Sequence, residues 1–373
     1  MRSNPFAIWR QFDWVLFGLS VILTIFGVLM IRSATLGAID PELISRVPNQ
    51  IRYGLISAIV MFALAALDYR VLGGVAGYLY VIMVGLLVAV FFFGVTGDGG
   101  ITRGWLNLGI PIQPAEIAKV LVIVTLGAYL ARNFDRIQAG DWGVLVRSLV
   151  HLGIPAALIV AQPDLGMTIV FGFMWFAMVW ASGLQLKQIG IAVAVVLIAL
   201  PIAAPVVWSR MEDYQRSRLV SFISEDSDPD AAYNIRQARI SIGSGGLLGE
   251  GYAQGSQNTG RFLRVRHTDF IFAVISEEFG FIGATVTMVL LGVVIARVLR
   301  GARKAIDPLG SLICYGVAAF LFFQTFVSIG MNLGLMPVTG LTLPFISSGG
   351  TSLLSTLAGI GLAQSVIMRQ ARV

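Results

Sequence analysis

The sequence has few charged residues, one cysteine and two histidines. Charged residues make up 12% and hydrophobic residues 57% of the 373 positions, whereas about 25% of residues in soluble globular proteins are charged. The single cysteine, Cys314, excludes an internal disulfide, and His151 and His267 are too few and too far apart to suggest a zinc site. These scarcities argue against a soluble metalloenzyme and indicate a membrane protein.

The positive charge of the chain does not indicate a nucleic-acid-binding protein. The formal net charge is +6, but the sequence shows no basic cluster of the nucleic-acid-binding kind, so no nucleic-acid partner is expected. In a membrane protein, Lys and Arg residues are counted loop by loop, because their distribution reports orientation.

Long apolar runs fill most of the chain. A bilayer core about 30 Å thick needs about 20 apolar residues in a helix. The N-terminal residues lead into the first run without a cleavage pattern, so the first helix is expected to be retained. The pattern predicts an all-α polytopic membrane protein with about ten transmembrane helices, at 14–33, 52–68, 72–95, 112–131, 147–163, 165–182, 186–208, 270–299, 309–335 and 346–368.

Ten crossings place both termini on the same side of the membrane. In this arrangement 13 Lys and Arg residues fall on the side of the termini and five fall in short loops and helix ends on the other side, while eight lie in residues 209–267. Because short cytoplasmic loops carry the excess of positive charge, both termini are predicted to be cytoplasmic.

Residues 209–267 form the only long polar segment, and they are predicted to be a large extracytoplasmic loop within a single transmembrane domain, 1–373. The segment contains the acidic run EDSDPD and the glycine-rich run GSGGLLGEGYAQG. Two alternatives stay open. The loop is either a flexible linker or a segment whose interleaved aromatic and aliphatic residues pack on the membrane surface or on a partner.

Ionisable residues interrupt the apolar runs at six positions, where charge is costly and commonly marks function. In the predicted orientation all six lie toward the outer half of the membrane: Glu116, Lys119, Asp164, Asp269, Glu277 and Glu278. The first two, three residues apart on one helix face, either line a cavity or form a private salt bridge. Asp164 either binds a ligand or caps a helix. The adjacent glutamates point about 100° apart, which favours polar links between helices.

Asp269 stands at the boundary between the polar segment and the apolar run that begins at Phe270. One interpretation is a helix cap, although Phe272 at the third position after it offers no capping-box partner. The other is catalytic. A carboxylate at the water boundary stays ionised when wet and gains basicity when a substrate expels water, which is the behaviour of a general base.

Two glycine-rich elements, GSGG at 243–246 and SSGG at 347–350, are able to present backbone N–H groups to a phosphate. Neither matches a nucleotide-binding fingerprint, and tight turns or close helix packing are the favoured interpretation. Several cations are predicted on the same side of the membrane, which suits an anionic lipid substrate: Lys119, Arg216, Arg218, Arg261, Arg264 and Arg266.

The motifs themselves resemble a known family. QPAEIAKV, QPDLGM, YQRSR, IGSGGLLGEG, RHTDFIFAVISEEFG and MPVTGLTLPFISSGGTSLL occur in this order, and they are similar to the SEDS proteins of shape, elongation, division and sporulation. The resemblance covers essentially the whole chain. Arg266 before HTDF is more similar to the elongation branch than to the division branch, where a small residue commonly stands.

The resemblance implies a ten-helix peptidoglycan glycosyltransferase of the bacterial cytoplasmic membrane, with its active site facing outward. It implies Asp269 as the catalytic residue and a set of substrate-binding residues: Glu116, Lys119, Asp164, Arg103, Arg216, Arg218, His267, Thr268 and Ser347. The chain departs from the family at Ala115 and Met167, where Ser and Thr are usual. It also has Leu263-Arg264-Val265 in place of Leu-Pro-Glu, and Gly104 separates Arg103 from Trp105.

The substrates implied are lipid II and the growing glycan strand, and the partners implied are a class B penicillin-binding protein and membrane proteins of the elongation complex. Asp269 is expected to take the proton of the acceptor 4-hydroxyl, with release of undecaprenyl pyrophosphate and inversion to a β-1,4 linkage. Lys119 is the first candidate for the pyrophosphate. A divalent cation, Mg²⁺ or Mn²⁺, is left open.

A lipid flippase and a structural scaffold are the alternatives from other classes. A flippase must expose its binding charges to both leaflets in turn, whereas the charged residues here gather toward one side. A scaffold leaves the cost of Glu116, Lys119 and Asp269 within apolar segments unexplained.

Overall fold

The structure of the protein is a computed structural model that describes residues 5–96, 104–107, 109–191 and 229–370, with six single positions between 194 and 220. A 3₁₀ helix, Pro5–Gln11, comes first, and 13 α-helices have both of their bounds within the described residues. These are α1 Trp14–Thr35, α2 Pro41–Ala66, α3 Tyr69–Gly74, α4 Ala76–Phe93, α5 Pro114–Arg132, α6 Phe134–Gln138, α7 Trp142–Val160, α8 Leu165–Ala181, α9 Pro229–Ser244, α10 Ser256–Thr259, α11 Ile271–Arg303, α12 Pro308–Asn332 and α13 Gly350–Ile367.

Aspartate caps begin many of these helices. The Asp13 carboxylate accepts from the backbone N–H groups of Val15 and Leu16 at the start of α1. The first N–H groups of a helix have no partner within the helix, and a side-chain oxygen at the N-cap satisfies them. Side chains of the same type cap other helices in the same way, at Asp40, Asp68, Asp141, Asp164 and Asp307.

Eight of the described helices are long and apolar enough to cross a membrane, namely α1, α2, α4, α5, α7, α11, α12 and α13, and α8 is a shorter apolar helix of 17 residues. The prediction of an all-α polytopic membrane protein is confirmed. The predicted span 186–208 lies mostly outside the described residues, so the count of ten and the side of the termini stay predictions, as does the single domain.

The predicted start of the second span was wrong, because the helix begins well before residue 52. The sequence predicted a span at 52–68, whereas α2 begins at Pro41 and continues through Pro48. The polar residues of PELISR and the internal proline are typical of a loop. Proline removes one backbone hydrogen bond, but transmembrane helices tolerate it where neighbouring groups satisfy the backbone.

The helices differ sharply in how far they are buried. In the most apolar 18-residue window of each helix, 78% of residues are buried in α5 and in α13, but only 22% in α4. Large apolar side chains on the outer helices are exposed, among them Ile59 and Val81, each 70% exposed. Such a surface suits lipid, and α5, α12 and α13 form the centre of the bundle.

Glycine allows the central contact between α13 and α2. A Cβ at Gly361 would lie 2.5 Å from the Met61 carbonyl oxygen. Small residues that let backbones approach closely are characteristic of membrane helix interfaces.

A backbone break at Gly280 divides α11. Gly280 has φ 64° and ψ −165°, a conformation open essentially to glycine alone. The next two N–H groups bond outside the helix, from Phe281 to the Gly246 carbonyl at 2.8 Å and from Ile282 to the Leu247 carbonyl at 3.2 Å. Residues 271–279 therefore form a short half-helix that begins just after Asp269, where the sequence predicted one continuous span over 270–299.

The described part of the predicted large loop is folded. Residues 229–267 contain α9 and α10, and they bury Ile235, Ala238, Ser241 and Leu263. A Cβ at Gly245 would collide with the Ser276 carbonyl oxygen, and one at Gly249 would collide with that of Glu278. The glycine-rich segment thus packs against α11, in agreement with the close-packing interpretation, and this part of the loop is not an unpacked linker.

A short hairpin connects α4 to α5. Strand β1, Leu106–Asn107, pairs antiparallel with β2, Pro111–Ile112. The Tyr53 hydroxyl of α2 donates to the Pro111 carbonyl oxygen at 2.7 Å. This contact fixes the entry to α5 beside α2.

Candidate active site

The turn that carries Asp269 is held by the residues on either side of it. Arg266 is buried, and its Nε and Nη1 atoms donate to the carbonyl oxygens of Ala34 and Leu263 at 2.6 and 3.2 Å. Burial lowers the pKa of Arg266, yet a guanidinium stays protonated in proteins. Phe270 is also buried. Asp269 lies between these two anchors and is half-buried.

Asn332, the last residue of α12, clamps the backbone around Asp269. Its Nδ2 atom donates to the Asp269 carbonyl oxygen at 2.8 Å and to the Ser328 carbonyl oxygen at 2.7 Å. Its Oδ1 atom accepts from the Ala273 N–H at 3.0 Å. The side chain is fully buried, so it joins the end of α12 to the first turn of α11. Asn332 was not among the predicted site residues, although a polar residue at the end of an apolar helix was an available signal.

Ser347, predicted to bind substrate, serves the backbone in this structure. Its Oγ atom donates to the Thr268 carbonyl oxygen at 2.7 Å and accepts from the Leu343 N–H at 2.9 Å. The Ser348 N–H donates to the His267 carbonyl oxygen at 2.9 Å. The SSGG motif at 347–350 therefore stabilises the HTDF turn at 267–270 through hydrogen bonds to its backbone. His267 is buried and Thr268 is half-buried.

Glu116 and Lys119 form an ion pair inside the bundle. The Lys119 Nζ atom lies 2.7 Å from the Glu116 Oε2 atom and donates to the Gln324 Oε1 atom at 3.0 Å. It also lies 4.5 Å from the centre of the Phe320 ring, and the Ser355 hydroxyl donates to Glu116 at 2.6 Å. The pair thus joins α5 to α12 and α13.

The burial of Lys119 argues against direct contact with a pyrophosphate in this structure. Its side chain is 0% exposed, so contact with a pyrophosphate requires the surrounding helices to part. The arrangement matches the private salt bridge that the sequence left open.

Asp164 caps α8 and also links it to α5. Its Oδ1 atom accepts from the Met167 N–H at 2.9 Å, and its Oδ2 atom accepts from the Gln113 side chain at 3.1 Å. The Gln113 N–H in turn donates to the Thr351 hydroxyl at 3.2 Å. The starts of α5, α8 and α13 are therefore tied together.

Glu277 and Glu278 bind different parts of the chain, as their spacing predicted. Glu277 accepts from the Gln257 N–H at 2.6 Å. Glu278 accepts from the Asn258 amide at 2.8 Å and from the Ser33 hydroxyl. The two carboxylates attach α10 and the end of α1 to the half-helix that follows Asp269.

Three predicted substrate-binding residues, Arg103, Arg216 and Arg218, lie in or beside segments that the structure does not describe. Arg103 and Arg218 lie outside the described residues. Arg216 is described, and its guanidinium donates to the Trp208 and Ser209 carbonyl oxygens at 3.0 and 3.1 Å. Within the described ranges no three His, Cys, Asp or Glu side chains are grouped as ligands for a metal ion. The question of a divalent cation, Mg²⁺ or Mn²⁺, stays open as it was in the sequence.

Contacts between distant residues define two ends of the bundle. At one end, called here the Asp269 end, Ser33 of α1 meets Glu278, and Ser347 meets Thr268. At the other end, called the Arg297 end, Asp13 meets Arg297 of α11 and Gln364 of α13. The helix α1 joins the two ends with 22 residues, a length of about 33 Å that matches a bilayer core.

Comparison with known proteins agrees with these motifs. A family model for FtsW, RodA and SpoVE, described as cell cycle protein, matches residues 13–372. The peptidoglycan glycosyltransferase MrdB of Escherichia coli K12 is 39% identical over 347 residues, covering 92% of this chain and 90% of MrdB. A Geobacter sulfurreducens FtsW, named as a probable peptidoglycan glycosyltransferase, is 32% identical over 368 residues and 96% of each chain.

Solved structures match over nearly the full length. A chain from a peptidoglycan synthase complex, in which polymerization and crosslinking are structurally coordinated, has a TM-score of 0.80 at 29% identity and covers 95% of this chain and 97% of its own. The rod shape determining protein RodA of Thermus thermophilus has a TM-score of 0.70 at 28% identity, with 97% and 98% covered. The chain therefore belongs to the FtsW, RodA and SpoVE family, the SEDS family that its motifs resemble.

Proposed function

We propose that this chain is a peptidoglycan glycosyltransferase that polymerises lipid II in the bacterial cytoplasmic membrane, with Asp269 as the general base. The observation that carries the proposal is the fixed position of Asp269. Its turn is anchored by buried neighbours and by Asn332, while the residue itself stays half-buried at the start of an apolar half-helix. A base needs both a fixed geometry and a route to water or substrate.

The reaction needs one base. The acceptor 4-hydroxyl oxygen attacks the anomeric carbon of the donor, the bond from that carbon to the pyrophosphate oxygen breaks, and the hydroxyl proton passes to Asp269. Undecaprenyl pyrophosphate leaves with the electron pair. Because attack comes from the face opposite the leaving group, the product is inverted at that carbon, as in other reactions served by one base.

The leaving pyrophosphate needs positive charge, since preorganised cations stabilise developing negative charge. Buried Lys119 is better suited to hold α5, α12 and α13 together. Arg266 is the described cation nearest to Asp269 in the chain, but it is buried and bonded to two carbonyl oxygens. The next nearest are Arg264 and Arg261, both exposed on the turn before Asp269. We assign the pyrophosphate to these arginines, with Arg216 and Arg218 as further candidates from the preceding segment.

A solved structure supports the choice of partner, and the distribution of Lys and Arg supports the orientation. A chain of similar fold belongs to a complex that couples polymerization to crosslinking, so a class B penicillin-binding protein is the expected partner. The Asp269 end is expected to face outward, because the opposite end gathers the excess of Lys and Arg predicted for the cytoplasmic side.

The test is polymerisation of purified lipid II, with and without a cognate class B partner whose transpeptidase is blocked. Asp269→Ala and Asp269→Asn are expected to lower turnover by about 100- to 10,000-fold, the usual contribution of a general base. Asp135→Asn changes an exposed aspartate of α6 and is the control, expected to polymerise like the wild type.

Near-normal glycan synthesis by Asp269→Asn would contradict the assignment of Asp269 as the general base. If no variant, nor the wild type, makes glycan while labelled lipid II crosses vesicle membranes, the flippase alternative takes its place.

A further inference from the structure

A cationic recess lies at the Arg297 end of the bundle, opposite Asp269. It has a volume of about 220 Å³ and is lined by residues from the 3₁₀ helix, the cap of α1 and the ends of α11 and α13. Four of these residues are cations, Arg10, Arg297, Arg300 and Lys304, and Asp13 is the only carboxylate among them. The lining thus carries a net charge of three positive.

The single carboxylate is already fully engaged. Asp13 binds Arg297 through two hydrogen bonds, at 2.9 and 2.6 Å, and caps α1 through Val15 and Leu16. Its backbone N–H and carbonyl groups are held by the Gln364 amide at 3.0 and 2.9 Å. One wall of the recess is therefore rigid and neutral, and it leaves the other three cations uncompensated.

Arg10, Arg300 and Lys304 are exposed, and in the described part of the chain no carboxylate forms an ion pair with them. Basic residues are common at a helix C-terminus, because the helix dipole is negative there. That effect accounts for Arg300 and Lys304 at the end of α11. Arg10 also lies in the last turn of its own helix, the 3₁₀ helix Pro5–Gln11. The dipole of one helix does not explain why a cation from a second helix, nearly 300 residues earlier in the chain, lines the same recess.

The surroundings of the recess are apolar and suit the membrane interface. Trp14 is 64% and Val15 is 52% exposed, directly after Asp13. An aromatic residue at this level of a membrane helix is typical of the interfacial belt. A second recess, about 160 Å³ in volume and mostly apolar, follows α1 from Phe17 to Ile25 and faces α2. It begins one helical turn beyond Asp13.

We propose that the cationic recess binds the phosphate group of an anionic membrane lipid, with an acyl chain of that lipid lying along α1. Guanidinium groups match phosphate geometry through paired donors, and an ammonium adds a further charge. The exposed Trp14 and the apolar recess favour a lipid over a soluble phosphate. This site lies at the opposite end of the bundle from Asp269 and stands independently of the glycosyltransferase proposal.

The test measures lipid binding by native mass spectrometry of the purified full chain in detergent. The probes are phosphatidylglycerol, which is anionic, phosphatidylcholine, which is zwitterionic, and the soluble compound glycerol phosphate. The test variant is Arg10→Gln, Arg300→Gln, Lys304→Gln. The control is Arg147→Gln, Lys187→Gln, Arg303→Gln, which removes the same charge from exposed residues that do not line the recess.

The wild type and the control are expected to retain phosphatidylglycerol in preference to phosphatidylcholine. The test variant should bind phosphatidylglycerol about 100-fold more weakly, since each of the three cations near the membrane surface contributes about fivefold. Its melting temperature should equal that of the control, because the changed side chains are exposed. If the triple change disturbs folding, Arg10→Gln alone should still weaken binding several-fold.

Equal weakening in the test variant and the control would show that net charge alone attracts the lipid and would overturn the proposal. Unchanged binding in the test variant would also overturn it. If glycerol phosphate binds as tightly as phosphatidylglycerol, the recess is a soluble phosphate site and the lipid assignment is wrong.

Discussion

Removal of the buried ion pair between Glu116 and Lys119 distinguishes a structural from a catalytic role. The proposed perturbations are Lys119→Met, Glu116→Gln and the double variant. In Lys119→Met, Glu116 loses its ion-pair partner at 2.7 Å and, among the described residues, keeps the Ser355 hydroxyl at 2.6 Å as its donor. A buried carboxylate with one neutral donor is poorly compensated.

The magnitude follows from what each change leaves behind. Breaking a buried pair by removing one partner costs about 3–5 kcal/mol, and loss of the contact between Lys119 and Phe320 adds about 0.5–2 kcal/mol. The double variant buries no charge, and replacement of both partners is often close to neutral. We therefore expect the double variant to be more stable than Lys119→Met by about 2 kcal/mol or more.

The assay combines unfolding in detergent with lipid II polymerisation per folded molecule. Glu42→Gln with Arg46→Met is the matched control, since it removes an i, i+4 pair that is far less buried, with side chains 47% and 18% exposed. That change should cost about 0.5 kcal/mol or less. If the buried pair is structural, the double variant keeps turnover within about tenfold of the wild type, an allowance of about 1.4 kcal/mol.

A double variant that folds normally but loses turnover by more than about 100-fold would refute this reasoning, because that is the loss expected when a group acting on the reacting atoms is removed. It would also support Lys119 as the residue that binds the pyrophosphate. A helix rearrangement would then have to expose its side chain during turnover.

Three further outcomes are expected. Asn332→Leu should lower kcat of the folded enzyme at least tenfold with little change in KM, because it frees the Asp269 turn; a proportional rise in KM would contradict a positioning role. Gly280→Ala should destabilise the protein by about 1–3 kcal/mol or more, since a Cβ is strained at φ 64°, whereas Gly292→Ala, with open space around it, should be neutral in thermal unfolding. The pKa of Asp307 is lowered, because hydrogen bonds from Tyr69, the Gly310 N–H and Arg70 outweigh its burial. Its stabilising effect should be present above about pH 3.8, its unfolded value, and should be lost as pH falls below that, so the difference in melting temperature from Asp307→Asn should vanish in acid.

The length and position of the apolar runs along the chain predicted most of the helices and the membrane class. This worked because a bilayer imposes a minimum length on every spanning helix, and length is a local property of sequence. The position of Asp269 at a polar boundary was equally visible. The opposed directions of Glu277 and Glu278 followed from helix geometry alone.

Other features depended on residues far apart in the chain. Lys119 is neutralised by Glu116 nearby, but its surroundings come from Gln324, 205 residues away, and Glu116 meets Ser355, 239 residues away. No local pattern distinguishes a lysine that faces a substrate cavity from one that faces another helix. The buried pair could therefore be predicted as a pair, but its place in the bundle could not.

By itself the sequence determined the membrane class, most helix positions and the family motifs, because these depend on spacing along one segment. The tertiary structure decided which polar groups meet. It placed Asn332 on the Asp269 turn, broke α11 where Gly280 meets the 246–249 backbone, and gathered Arg10 with Arg300 and Lys304. The physical reason is that hydrogen bonds and charges act through space over a few ångströms, and only packing brings distant segments that close.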